Sequence, residues 1–232
     1  GKTRVLTQRV AYLISQGVAA EEIILLTFTN KAAEEMLRRI SGTRPTGGTF
    51  NSFCARLLRK RNPDFVIFDV ADQLDTIKQA MAAIGVDPKV VKPSSVLYTI
   101  SQAKNELIGP QEYANYARGD FQKMVVRIYL VYQQLLKKYK AMDFDDLLME
   151  TVKLLREQLE DRWKYILVDE YQDTNKAQYE ITKLLAQKHH NLTVVGDASQ
   201  AIYSWRGADY RNLLLLKQDF PDLTIINLEQ NY

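Results

Sequence analysis

Four short apolar runs, Ile23 to Phe28, Tyr165 to Val168, Leu192 to Val195 and Leu223 to Leu228, each give way to a polar cluster. They are continuous rather than alternating, so each predicts a strand covered on both faces, as in a parallel sheet. Helical spacing separates them. Leu6, Val10, Leu13 and Ile14 repeat at helical intervals, as do Ala33, Met36, Leu37 and Ile40, and later Ala177, Ile181, Leu184 and Leu185. This alternation predicts an α/β doubly wound fold. Such sheets gather their ligands beyond the carboxyl ends of the strands. All the informative clusters lie there: Thr27 to Asn30, Asp169 to Asp173, Gly196 to Arg206 and Glu229 to Tyr232. One shared site is expected.

From about Asp72 to Leu159 the alternation stops. Leu74, Ile77, Met81 and Ile84 mark one helix, Val125, Ile128, Tyr132, Leu135 and Tyr139 a longer one, and Leu148, Val152, Leu155 and Leu159 another. Gly85, Pro88, Pro93, Gly109 and Pro110 punctuate the stretch as loops. An all-helical subdomain over 85–145 is therefore expected, inserted between α/β segments over 1–84 and 146–232.

The 232 residues are 46% apolar and 25% charged, which suits a globular chain able to bury a substantial core. A net charge of +3, from 31 basic and 28 acidic residues, permits nucleic-acid binding without arguing for it. The single cysteine, Cys54, cannot form an internal disulfide, and Phe53, Leu57 and Leu58 around it predict a buried helical position. No apolar run approaches the ~18 residues of a membrane span, and the N-terminus lacks a signal peptide's apolar region, so no membrane association and a cytoplasmic location are expected.

Two features carry the chemistry. Gly1-Lys2-Thr3 before a helix matches the end of the phosphate-loop pattern, in which lysine reaches the β and γ groups and the hydroxyl binds magnesium. As a three-residue fragment it needs support from elsewhere. Asp169 and Glu170 supply it, because carboxylates just past a buried strand are placed for a magnesium ion and an attacking water. The plainer alternative makes them caps for the helix beginning near Asn175, a task that Asp173 or Thr174 would serve better.

The segments LLTFTNKAAEEM (25 to 36), GTFNSFCARLLR (48 to 59), DFDDLL (143 to 148), VDEYQDTN (168 to 175), VGDASQAIYSWRGAD (195 to 209) and LEQNY (228 to 232), taken in order, resemble the motifs of superfamily 1 DNA helicases of the UvrD, Rep and PcrA type. The resemblance runs from the first residue to the last. It implies a RecA-like ATPase domain with the helical insertion, an ATP and magnesium requirement, and translocation 3′ to 5′ on single-stranded DNA or at single/double-strand junctions, with DNA repair among the settings. By resemblance, Gly1, Lys2, Thr3, Arg4, Gln200 and Tyr232 contact nucleotide, Tyr232 as the ring stacked on adenine. Thr3 and Asp169 hold magnesium, and Glu170, Gln200 and Lys2 are catalytic, with Glu170 as general base and Gln200 sensing the γ-phosphate. The DNA set is Phe28, Thr29, Asn30, Thr49, Asn51, Phe144, Tyr203, Trp205 and Arg206, whose aromatics stack on bases without regard to sequence.

Several residues keep two readings. Phe28 could equally pack in the core, whereas Trp205, between Ser204 and Arg206, is harder to explain that way. Lys31, Arg56 and the run Arg59-Lys60-Arg61 could meet phosphates, although a charge run is usually a solvated helix face. Asn51 stands where the family commonly has histidine, and Ser199 where it often has aspartate. The chain begins inside the phosphate loop and stops at Asn231-Tyr232, before the family's next arginine and its second RecA-like domain, so the segment is expected to have at most trace ATPase activity and no unwinding. The rival functions are the helicase portion of a recombination helicase-nuclease and a passive single-strand binding module.

Overall fold

A computed structural model describes residues 2–40, 42–158, 161–197 and 211–228. In chain order its elements are α1 (Lys2–Ser15), β1 (Ile23–Thr27), α2 (Asn30–Arg39), β2 (Thr46–Thr49), α3 (Phe50–Arg59), β3 (Val66–Ile67), α4 (Val70–Ala83), α5 (Pro93–Asn105), α6 (Pro110–Tyr113), α7 (Gly119–Lys138), β4 (Ala141–Met142), α8 (Phe144–Glu157), β5 (Tyr165–Val168), α9 (Lys176–Ala186), β6 (Leu192–Val194) and α10 (Arg211–Asp219). They divide into two units, Gly1–Cys54 with Val152–Tyr232, and Ala55–Thr151.

The first unit is an α/β layer structure built on a four-stranded sheet in the order β2-β1-β5-β6, with every pair parallel. The strand reading explains itself at β1, whose five residues are all buried. Because strand side chains alternate between faces, Ile23 and Leu25 with Leu167 meet Leu6, Val10 and Leu13 of α1 and Met36 of α2, while Ile24, Leu26, Ile166 and Val168 turn the other way and are equally hidden. On α9 the cap is Asn175 itself. Its side chain accepts from Gln178 N–H while Gln178 Oε1 accepts from Asn175 N–H, so neither Asp173 nor Thr174 caps that helix.

Two strand expectations need correction. Leu223 to Leu228 pairs with no described strand, and Ile225, Ile226 and Leu228 are exposed. An apolar run records a tendency to be buried and says nothing about whether a ladder partner is within reach. Conversely, β2 reads Thr-Gly-Gly-Thr and carries no apolar signal. It forms because Gly47 lets Leu37 of α2 lie against the strand: a Cβ there would stand 2.8 Å from Leu37 Cδ2.

The second unit is built mainly of α4, α5, α6 and α7 around Ile77, Met81, Val96, Ile100, Val125, Ile128, Tyr129 and Tyr132. It is not wholly helical, because β3 and β4 form a two-residue parallel ladder, Val66 with Ala141 and Ile67 with Met142. On α7 the buried stripe runs through Leu136, and Tyr139 ends the helix half in solvent. The unit also takes in residues 55–84 and 146–151, outside the 85–145 interval expected from the proline and glycine punctuation. Its boundaries fall inside α3 and α8, and an unbroken helix gives no local sign of one. Cys54 is buried on α3 as expected, and no helix among the described residues is long and apolar enough to cross a membrane.

Candidate nucleotide site and strand-end polar cluster

The helix of Lys2 and Thr3 begins at the carboxyl edge of the sheet, where β5 delivers Asp169 and Glu170. Thr3 Oγ1 donates to Asp169 Oδ2 at 3.0 Å across 166 residues of sequence. Lys2 Nζ stands 3.6 Å from Glu170 Oε2 and 3.6 Å from Asp197 Oδ2. That ammonium is buried, and no hydrogen bond satisfies it. A cation with three donors in such a position fits a multivalent anion such as a nucleotide phosphate, while Thr3 and Asp169 together present the hard oxygens that magnesium takes. No group of three or more His, Cys, Asp or Glu residues that could hold a metal occurs among the described residues. A cation here would therefore rest largely on phosphate oxygens and water, as magnesium commonly does.

The backbone sets this geometry. Asp169 N–H donates to Leu26 C=O and Tyr171 N–H to Val195 C=O, so the residues on either side of Glu170 are pinned to β1 and to the end of β6. Glu170 lies between them in left-handed conformation, φ 48° and ψ 47°. A residue with a side chain adopts that conformation at a cost of order 1–2 kcal/mol, here met by the two flanking bonds. Burial pushes the Asp169 carboxyl above the usual carboxylate range; the Thr3 hydroxyl opposes this, and the Glu170 charge adds to it. Burial likewise raises Asp173, helped by Glu170, and Asp173 Oδ1 lies buried without a hydrogen-bond partner.

The expected site residues separate into groups. Lys2, Thr3, Asp169 and Glu170 come together, and Arg4 follows on α1 with its side chain exposed. Phe28, half-buried, lies just past β1, followed by the exposed Thr29 and Asn30. Thr29 caps α2 by accepting from Ala32 N–H at 3.2 Å. Thr49 ends β2 in register with Thr27 and accepts from Ser52 N–H at 3.2 Å. Beside them Asn51 Oδ1 and Thr27 Oγ1 are buried without hydrogen-bond partners, so this neighbouring strand edge offers unspent polar capacity. Phe144 opens α8 in the second unit and is 39% exposed. Lys31, Arg56 and Arg59 to Arg61 are exposed, with Arg59 over the Phe65 ring. Gly1, Gln200, Tyr203, Trp205, Arg206 and Tyr232 lie outside the described residues.

Two members of the cluster were missed. Asp197 belongs to the Gly-Asp step after β6 and faces Lys2 from there; its position at a strand end was the available signal. Gln172 is buried and touches both acids' segments, and nothing in its residue type announced that.

The UvrD/REP helicase N-terminal domain matches residues 1–221. This chain belongs to the UvrD/REP helicase family. An ATP-dependent DNA helicase PcrA of Bacillus subtilis is 46% identical, with 100% of this chain aligned to 34% of the relative. PcrA helicases of Staphylococcus epidermidis and Staphylococcus aureus are each 43% identical over the same shares. The chain thus spans about a third of the length of the curated relatives it matches. The UvrD/REP assignment agrees with the parallel sheet and with the motif order read from the residues.

Proposed function

We propose that this chain is the nucleotide-hydrolysing, N-terminal portion of an ATP-dependent DNA helicase that moves 3′ to 5′ on single-stranded DNA and acts at single/double-strand junctions. The observation that carries the reading is the cluster of Lys2 Nζ between Glu170 and Asp197, with Thr3 bonded to Asp169. In this reading Lys2 binds the β- and γ-phosphates, and Thr3 and Asp169 hold magnesium. When bound, the ion neutralises charge on the phosphate oxygens. Glu170 accepts the proton of the water that attacks the γ-phosphorus. Arg4, Gln200 and Tyr232 complete nucleotide recognition.

Phe28, Thr29, Asn30, Thr49 and Asn51 meet DNA at the neighbouring strand ends, and by the family resemblance Phe144, Tyr203, Trp205 and Arg206 also serve DNA binding by stacking and phosphate contact. The buried, unpaired Asn51 Oδ1 supports this, because an amide is suited to a polar ligand there. A second RecA-like domain of the same protein is the partner that would close over the nucleotide. The test is Glu170→Gln in the full-length protein. DNA-stimulated hydrolysis should fall by about 10²–10⁴, the scale of a positioned base, while ATP binding persists. Hydrolysis at the parent rate would remove Glu170 from this role.

A further inference from the structure

Gln172 sits two residues past Glu170 in the turn Tyr171–Asp173 and is 2% exposed. Its amide is fully committed. Nε2 donates to Glu170 Oε2 at 2.9 Å and to Asp173 Oδ2 at 3.3 Å, while Oε1 accepts from the Asp197 backbone N–H at 2.9 Å. Only a neutral amide offers donors on one side and an acceptor on the other, so glutamate or methionine could not reproduce the arrangement.

An independent observation points the same way. A Cβ at Gly196 would lie 2.9 Å from Gln172 Oε1 and 3.4 Å from Gln172 N. Glycine there lets the backbone after β6 come close enough for the Asp197 N–H to reach the amide. The backbone of Glu170 cannot orient its carboxylate alone, and the charged groups around it pull unequally: Lys2 attracts, while Asp169, Asp173 and Asp197 repel. The Gln172 donor selects one oxygen, Oε2, which is also the one nearest Lys2.

We propose that Gln172 is a positioning residue that aims the Glu170 carboxylate and ties it to the backbone at Asp197. The inference rests on the reading of Glu170 as general base. It is tested in the full-length protein with three substitutions. Gln172→Glu keeps an acceptor for Asp197 N–H but loses the donor, Gln172→Met loses both, and Gly196→Ala keeps the amide but displaces it.

Each should lower kcat of DNA-stimulated hydrolysis by about a hundredfold, the cost of roughly 1 Å of misplacement, with little change in the Kd of a fluorescent ATP analogue. In a Glu170→Gln background the same changes should cause no further loss of single-turnover hydrolysis, because residues that act through one another are not additive. Additive losses, or an unchanged kcat in Gln172→Glu and Gln172→Met, would overturn the proposal. Loss of analogue binding together with a lowered melting temperature in all three variants would make Gln172 a structural residue and overturn it as well. Retained hydrolysis in Glu170→Gln alone would instead defeat the base assignment first, and the positioning role with it.

Discussion

Lys104 is the most confined charge in the second unit, and its surroundings show how residue chemistry escapes a linear reading. Its Nζ donates to Asp143 Oδ2 at 2.6 Å and Asp146 Oδ1 at 2.7 Å, and it lies 5.1 Å from the centre of the Tyr132 ring. Tyr132 Oη also donates to Asp143, Gln133 Nε2 to Asp146, and Ser101 Oγ to Asp145. Burial alone would lower the lysine's pKa, but Asp143 and Asp146 overcome it and hold the ammonium firmly charged. Three carboxylates then share one cation. Burial, followed by the Asp143 charge, pushes Asp145 up to about 7 and Asp146 to about 6, from an ordinary 3.8. Between those limits the folded state retains protons that the unfolded chain has released, so stability falls as pH rises through the window. Hydrogen exchange of α7 and α8 amides in the intact chain should therefore quicken from mildly acidic to neutral pH, beyond the intrinsic pH effect, and level off above. A rise in protection across that interval would contradict the assignment. The DFDDLL segment suggested only Phe144 as a functional residue, because the lysine that organises its acids lies 39 residues earlier.

At the scale of elements, apolar periodicity located β1, β5 and β6 and the helices between them; burial on both faces leaves a continuous run at β1 and β5, while the apolar run of β6 is only half-buried. It failed at β2 and at Leu223 to Leu228 for opposite reasons. A glycine pair has no side chains to signal a strand, and an apolar run has no ladder without a neighbour. Gly47→Val tests the first point. The new side chain would meet Leu37 and push α2 from the sheet, lowering stability by about 1–3 kcal/mol, the usual cost of overpacking. Urea denaturation monitored by circular dichroism measures it, and an unchanged midpoint would show that α2 does not need the glycine.

For the whole molecule, the decisive event is that one sheet edge collects Lys2 and Thr3 from the start of the chain with Asp169, Glu170 and Asp197 from far along it. A non-hydrolysable ATP analogue with magnesium, at about 100 times its Kd, should stabilise this unit by about 2.7 kcal/mol. The gain should appear as slowed amide exchange in the first turns of α1, the end of β5 and Asp197; unchanged exchange there at saturation would remove the nucleotide from this edge. The runs of β1, β5 and β6, the helices around them, the motifs and the candidacy of Lys2, Thr3, Asp169 and Glu170 were legible from residue pattern, because periodicity and residue chemistry are local properties, whereas β2, β3 and β4 were not. Folding alone decided that Asp197 faces Lys2, that Gln172 bridges Glu170 to Asp197, and that the unit boundaries fall inside α3 and α8. Those are distances between residues remote in sequence, set by parallel register and close backbone approach, and no single segment encodes them.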